Sequence, residues 1–262
     1  MTDKIEVLDK GYVRIPTDGK GNLKVLGDDL DPVNSAKVSF AKESTEFGDR
    51  EARLLAFLQR EEHSSVFRHS AITFEVYAPL FVARQWWKYA VASTHLEDQN
   101  GWNESSRRYV TETPEFYVPA PNEWRSAPES RKQGSGEPLK SLDDVEWGAW
   151  RYNDYSLDVR DDFAEEYGNF WTDELTELVR QSIQLYDAAM GNGVCAEQAR
   201  LFLPAYGLYV RWRWTASLGT ITHFLHQRLE HDAQKEIQEY AKAVWSLTHE
   251  HFPVCMETIK NG

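Results

Sequence analysis

Ala71–Ala78 reads AITFEVYA and runs through Pro79 into LFVARQWWKYAVAS, residues 80–93. Ile72, Phe74 and Val76 fall on one face and Thr73, Glu75 and Tyr77 on the other, the period of a half-buried strand. Proline is tolerated in a first helical turn, so the stretch after Pro79 predicts a helix. A second alternating run, Leu208–Thr215 (LYVRWRWT), predicts another strand, with a helix continuing through Arg228 and one more over Asp232–Thr248. Asp49–Glu62 (DREARLLAFLQREE) sets Leu54, Leu55 and Leu58 on one helical stripe. Asp173–Ala189 is amphipathic, with Leu175, Leu178, Ile183 and Leu185 among its apolar positions, and Gly191-Asn-Gly stops it. Ile5–Ile15 is strand-like up to a turn cluster beginning at Pro16. Strands and helices mix without regular βαβ alternation, which points to an α+β fold and away from a doubly wound sheet.

The 262 residues suit one substantial domain, residues 1–262, and residues 121–142, rich in Pro, Gly, Ser and charge, read as a surface loop within it. With 29 basic and 42 acidic side chains the net charge is −13, which argues against nucleic acid as the main partner. Two cysteines, Cys195 and Cys255, are too few for a disulfide framework. No apolar run reaches membrane-spanning length and the first residues lack a signal-peptide core, so a cytoplasmic protein without membrane contact is expected.

The acidic total hides an uneven distribution. Gln198–Leu229 contains no Asp or Glu in 32 residues, yet carries Arg200, Arg211, Arg213, Arg228, His223 and His226. Trp102–Tyr109 (WNESSRRY) is dense in hydrogen-bond donors. Guanidinium forks and hydroxyls hold phosphates and developing oxyanions. For Arg211 and Arg213 pairing with acids or snorkelling is the favoured role; for Arg107, Arg108, Arg200 and Arg228 it is function. No GxGxxG or GxxxxGK[ST] loop occurs, so a bound nucleotide or flavin has to be held by arginines, hydroxyls and helix ends.

The stretch APLFVARQWWKYAVASTHLEDQNGWNESSRRY, residues 78–109, resembles the flavin-dependent thymidylate synthase family (ThyX type), whose hallmark is Arg-His-Arg, a short spacer and Asn-Glu-x-Ser-x-Arg-Tyr. Further blocks in matching order are HSSVFRHSAITFEV, EFYVP (taken as the strand after the hallmark), GVCAEQARLFLP and THFLHQRLEHDAQKEIQEYA. The resemblance implies an antiparallel sheet with packed long helices in a single domain. It implies reductive methylation of dUMP to dTMP, with methylenetetrahydrofolate as carbon donor, FAD as hydride carrier and NADPH as reductant. It also implies a homotetramer with shared active sites.

Carried over by position, the resemblance puts Gln85, Lys88, Ser105, Ser106, Arg107, Arg108, Arg200 and Arg228 at the nucleotide. Glu104 touches nucleotide and flavin. His63, Ser65, Lys88, Tyr89, Ala90, Ser217, His223 and Gln227 fall on the flavin side, with His69 in the same segment as His63. Arg228, Glu104 and His63 are the catalytic candidates. No metal site is expected. The chain departs from the family in two places: Arg-His-Arg is Lys88-Tyr89-Ala90, and the spacer before Asn103-Glu104 is longer. A lysine is a point charge that cannot fork onto two oxygens.

Uracil C5 becomes nucleophilic when negative charge on a carbonyl oxygen is stabilised, and Arg228 is the candidate for that role. Cys195, placed in an apolar helical stretch, and Cys255 lack the setting of a nucleophile. Of Trp86 and Trp87, at least one is expected in the core. The His223/His226/Glu230 and His249/His251 spacings are weak metal patterns. The altered hallmark leaves open the same chemistry on UMP, hydroxymethyl transfer, or a non-catalytic nucleotide- or flavin-binding homologue, with a metal hydrolase as the remote option. Arg108, Arg200 and Arg228 are expected to converge on one pyrimidine nucleotide.

Overall fold

The computed structural model describes residues 3–88, 101–105, 113–128, 134–138, 167–257 and 259; for 101–104 and 167–170 it describes the backbone alone. In chain order the strands are β1 (Lys4–Val7), β2 (Gly11–Arg14), β3 (Val25–Leu26), β4 (Ala71–Pro79), β5 (Gly101–Glu104) and β6 (Tyr209–Ser217). The helices are α1 (Leu30–Lys37), α2 (Asp49–Arg60), α3 (Leu80–Trp86), α4 (Tyr167–Gly191), α5 (Ala196–Ala199), α6 (Leu218–Arg228), α7 (Lys235–His249) and α8 (Pro253–Glu257). A 3-10 turn covers Ser64–Arg68. The described residues group into two compact units, one of 1–106 with 209–262 and one of 107–208.

The first unit is built on an antiparallel sheet in the order β1-β2-β4-β6-β5, with β3 pairing the start of β4. Strands β4 and β6 pair along nine positions, from Ala71 opposite Ser217 to Pro79 opposite Tyr209. Alternation along both strands sorts the side chains. Ile72, Phe74, Val76, Ala78, Trp212, Trp214 and Ala216 are buried against the helices. Arg211, Arg213, Thr215, Thr73, Glu75 and Tyr77 occupy the other face, in register across the two strands.

That second face carries a polar network. Glu75, only 6% exposed, accepts from Tyr12 Oη at 2.9 Å and from Arg14 Nε at 2.9 Å and Nη2 at 2.7 Å. Arg213 Nε stands 3.5 Å from its other oxygen. Arg211 donates to Tyr12 Oη at 3.1 Å and lies over the Tyr77 ring at 5.0 Å. Arg211 and Arg213 therefore have the pairing and packing roles their strand positions suggest.

The expected strand over 5–15 is a tight hairpin: β1 and β2 pair from Lys4 opposite Arg14 to Val7 opposite Gly11. The turn passes through Leu8 at φ 58°, the left-handed region that alternation of apolar residues does not announce. Gly11 begins β2 where a Cβ would meet Tyr240 Oη at 1.8 Å, so only glycine lets that hydroxyl reach the Tyr77 carbonyl at 2.9 Å.

In the second unit α4 packs Val179, Ile183 and Tyr186 on Phe116, Ala199, Leu203 and Leu208. It ends where Gly193 adopts φ 85° and Val194 N–H returns to the Ala189 carbonyl at 3.0 Å. EFYVP, expected as a strand, forms only the isolated bridge Phe116–Leu208 and the Tyr117 N–H bond to Gly207. Of the 121–142 loop, residues 121–128 and 134–138 are described, and they include a 3-10 turn at Pro121–Glu123.

Candidate active site

Helix α2 ends where Glu62 turns through φ 54°, and the reversal returns His63 N–H to the Leu58 carbonyl at 2.9 Å. The His63 ring then stacks on Phe57, centroids 5.9 Å apart and planes 29° from parallel. Ser65 follows, exposed, in the 3-10 turn. That turn lies against the first turn of α6: a Cβ on Gly219 would sit 3.5 Å from Phe67 Cβ and 3.7 Å from the Ser64 carbonyl. Leu218 N–H also donates to the Ser70 carbonyl at 2.8 Å. Four and eight residues beyond Gly219, His223 and Gln227 continue up the same helical face, and both are exposed. Ser217 is fully buried; its hydroxyl accepts from Thr220 N–H at 3.3 Å and caps α6.

The far end of α6 meets α3 and α7. Trp86 is fully buried, stacked on Phe224 at 4.5 Å and edge-on to Trp212 and Trp214 at 5.5 and 5.4 Å. Trp86 is thus the core tryptophan of the pair, and Trp87 is partly buried. Next to it on α3, Gln85 donates through Nε2 to Gln234 Oε1 at 2.5 Å. Gln234 lies in the short connection between α6 and α7 and directly precedes α7. Arg228, half-buried, is the last residue of α6, where its charge complements the helix dipole. Gln85 is thereby tied to the connection that follows Arg228 in the chain.

Other expected site residues are placed more loosely. Lys88 is exposed just beyond α3. Glu104 ends β5 in register with Trp212. Ser105 N–H donates to the Arg211 carbonyl at 2.8 Å, and its side chain is exposed. His69 is exposed after the 3-10 turn. Arg200 belongs to the second unit, exposed, with Nε donating to the Glu197 carbonyl at 3.2 Å. Tyr89, Ala90, Ser106, Arg107, Arg108 and most of the long spacer lie outside the described residues, so the structure brings together only part of the expected set. Gln234 and Glu236 were not singled out in the sequence, because nothing in the pattern of α7 marks them as facing Gln85.

The remaining candidates resolve simply. Cys195 is exposed and precedes α5, outside any helix, while Cys255 is buried. Burial, with the charge of Asp29, pushes the Cys255 thiol far above the ordinary thiol range. Among the described residues no three His, Cys, Asp or Glu side chains form a metal-binding group, and no helix is long and apolar enough to cross a membrane.

A flavin is implied by the family resemblance, and the exposed residues fit one. His63, Ser65, His223 and Gln227, which the resemblance puts on the flavin side, are exposed polar side chains on and beside a helix that carries no carboxylate to repel phosphate.

Residues 24–254 match the family model Thy1, thymidylate synthase complementing protein. A flavin-dependent thymidylate synthase of Thermotoga neapolitana is 33% identical over 250 residues, covering 95% of this chain and 91% of the relative. One of Thermus thermophilus is also 33% identical, covering 95% and 76%. Among solved structures, a UMP/dUMP methylase, PolB, from Streptomyces cacaoi bound with 5-Br dUMP superposes with a TM-score of 0.71 at 23% identity, covering 97% of this chain and 96% of that one.

Proposed function

The chain belongs to the flavin-dependent thymidylate synthase family, and on that premise we propose that it methylates C5 of the uracil ring of dUMP. The balance is dUMP, methylenetetrahydrofolate, NADPH and a proton giving dTMP, tetrahydrofolate and NADP+. FAD, when bound, carries the hydride from NADPH. The protein's residues place the nucleotide and steady its charge.

The observation that supports this reading is that Trp86 stacks on Phe224 of the helix that bears Arg228, while Gln85 bonds Gln234 in the connection that follows it. A guanidinium at the pyrimidine carbonyl stabilises the oxyanion that makes C5 nucleophilic, and a buried setting strengthens it. Gln85 orients the nucleotide. Lys88, Ser105 and Ser106 bind the same nucleotide, Ser106 beside its phosphate, and Glu104 joins nucleotide and flavin; by the family resemblance Arg107, Arg108 and Arg200 are also nucleotide-binding. His63, Ser65, His223 and Gln227 line the flavin edge. Ser217 acts through the fold of α6, which its hydroxyl caps.

The reading includes a cytoplasmic homotetramer. Leu178, Leu185, Leu201 and Tyr206, exposed at 53%, 55%, 80% and 67%, are apolar surface suited to cover by other copies.

A second reading is the same chemistry on UMP. It is favoured by the Lys88-Tyr89-Ala90 replacement and by a fold shared with a protein described as a UMP/dUMP methylase. The purified protein is incubated with dUMP or UMP, methylenetetrahydrofolate and NADPH, and the products are weighed by mass spectrometry. A gain of one methyl on dUMP supports the first reading, and turnover of UMP alone replaces it with the second. A gain of hydroxymethyl changes the transferred group. No turnover, in a protein lacking flavin absorbance, leaves a non-catalytic homologue.

A further inference from the structure

The side-chain amide of Gln85 is held in one of its two orientations, and the group that holds it is a carboxylate one residue removed. Glu236, in the first turn of α7 and 5% exposed, accepts from Gln234 Nε2 at 2.9 Å. A carboxylate offers acceptors only, so it selects the amino end of Gln234. The carbonyl end of Gln234 is thereby turned toward α3, where it accepts from Gln85 Nε2 at 2.5 Å. An amide carbonyl also accepts only, so Gln85 faces α7 with its amino group and its own carbonyl oxygen points away from α7. Exchanging nitrogen and oxygen on either glutamine would set like ends against each other and lose a bond. The orientation thus follows from the chemistry of Glu236.

We propose that Glu236 and Gln234 are positioning residues that present Gln85 to the nucleotide as a hydrogen-bond acceptor. The carbonyl oxygen of Gln85 then meets a donor on the ligand, the uracil N3–H or a sugar hydroxyl. This rests on the reading above that Gln85 contacts the nucleotide. A site whose acceptor is fixed in advance discriminates against ligands lacking the donor, because the acceptor is then left unmet.

Calorimetry on the full-length chain compares dUMP, N3-methyl-dUMP and the 3′-deoxy analogue of dUMP, for the wild type, Gln85→Ala and Glu236→Gln, with a thermal melt of each. In the wild type one analogue binds about tenfold more weakly than dUMP, and which one it is tells the ring N–H from the hydroxyl. Glu236→Gln, which frees Gln234 to turn either way, is expected to weaken dUMP by about three- to tenfold and to cut that discrimination to about twofold or less. A merely structural role would weaken all ligands alike. If Glu236→Gln does not fold, Gln234→Met makes the same comparison.

Equal binding of dUMP and both analogues by the wild type overturns the proposal, as does full discrimination in Glu236→Gln alongside a weakened Gln85→Ala. Unchanged dUMP binding by Gln85→Ala instead overturns the placement of Gln85 at the nucleotide.

Discussion

The indole of Trp86 and the ring of Phe224 stack with centroids 4.5 Å apart and planes 25° from parallel, clamping α3 against α6. Both residues are fully buried; Trp86 adjoins Gln85, and Phe224 sits about one turn before Arg228, the two residues proposed to meet the nucleotide.

Trp86→Ala should destabilise the protein by about 3–5 kcal/mol, the cost of an aromatic deleted from a packed core. Urea unfolding checks it: the midpoint falls while the slope stays level. Trp86→Phe, which keeps a ring against Phe224, should lose less.

Glu75 makes low-pH stability depend on the polar sheet face. Burial by itself raises its pKa, but hydrogen bonds from Tyr12 and Arg14 and the charges of Arg14 and Arg213 outweigh burial and hold it below the ordinary 4.5. Because the folded value is depressed, the unfolded chain binds the proton first. The contribution is complete above about pH 4.5 and fades as pH falls through the folded value. Glu75→Gln should cost about 2–3 kcal/mol at pH 7, less than a fully enclosed pair because Arg14 and Arg213 are 42% and 50% exposed. Denaturation curves of the two proteins should converge on acidification.

Ser217→Ala removes the hydroxyl that accepts Thr220 N–H at the start of α6. The loss should be about 1 kcal/mol, read as a lower midpoint in thermal unfolding.

The two thiols should react at very different rates. Cys195 is exposed, whereas Cys255 is buried, its ionisation suppressed by burial and by Asp29. A chromogenic disulfide reagent should titrate one thiol rapidly in the native protein and the second only after unfolding. Two fast equivalents would contradict the placement of Cys255.

Arg228→Ala should lower kcat for nucleotide methylation by about 10²–10³, the usual cost of removing an oxyanion donor. Flavin content, measured by absorbance, should stay level. A fall in flavin content with unchanged turnover per flavin would place Arg228 at the cofactor instead.

Much of the fold was legible because the signals are local. Alternation marked β4 and β6 to within two residues, and the helical stripe of Asp49–Glu62 matches α2 closely. Local patterns failed where the backbone leaves ordinary geometry. Leu8 at φ 58° splits the expected first strand into a hairpin, and Cys195 stands outside a helix although its neighbours are apolar and helix-compatible. Of the candidate site, the residue types were legible, but the bonds that tie Gln85 to Gln234 and Gln234 to Glu236 were not.

The sequence by itself determined the family, the strand and helix periods, and the withdrawal of acids from Gln198–Leu229. Only the tertiary structure decided that Glu75 would be shared by Tyr12, Arg14 and Arg213, and that Gln85 would meet a glutamine 149 residues away. Periodicity is set by each residue's own backbone sterics and its contact with water, so it survives in a linear reading. Hydrogen-bond partners are chosen by whichever donors and acceptors packing brings within 3 Å of each other, and that choice exists only once the elements have docked.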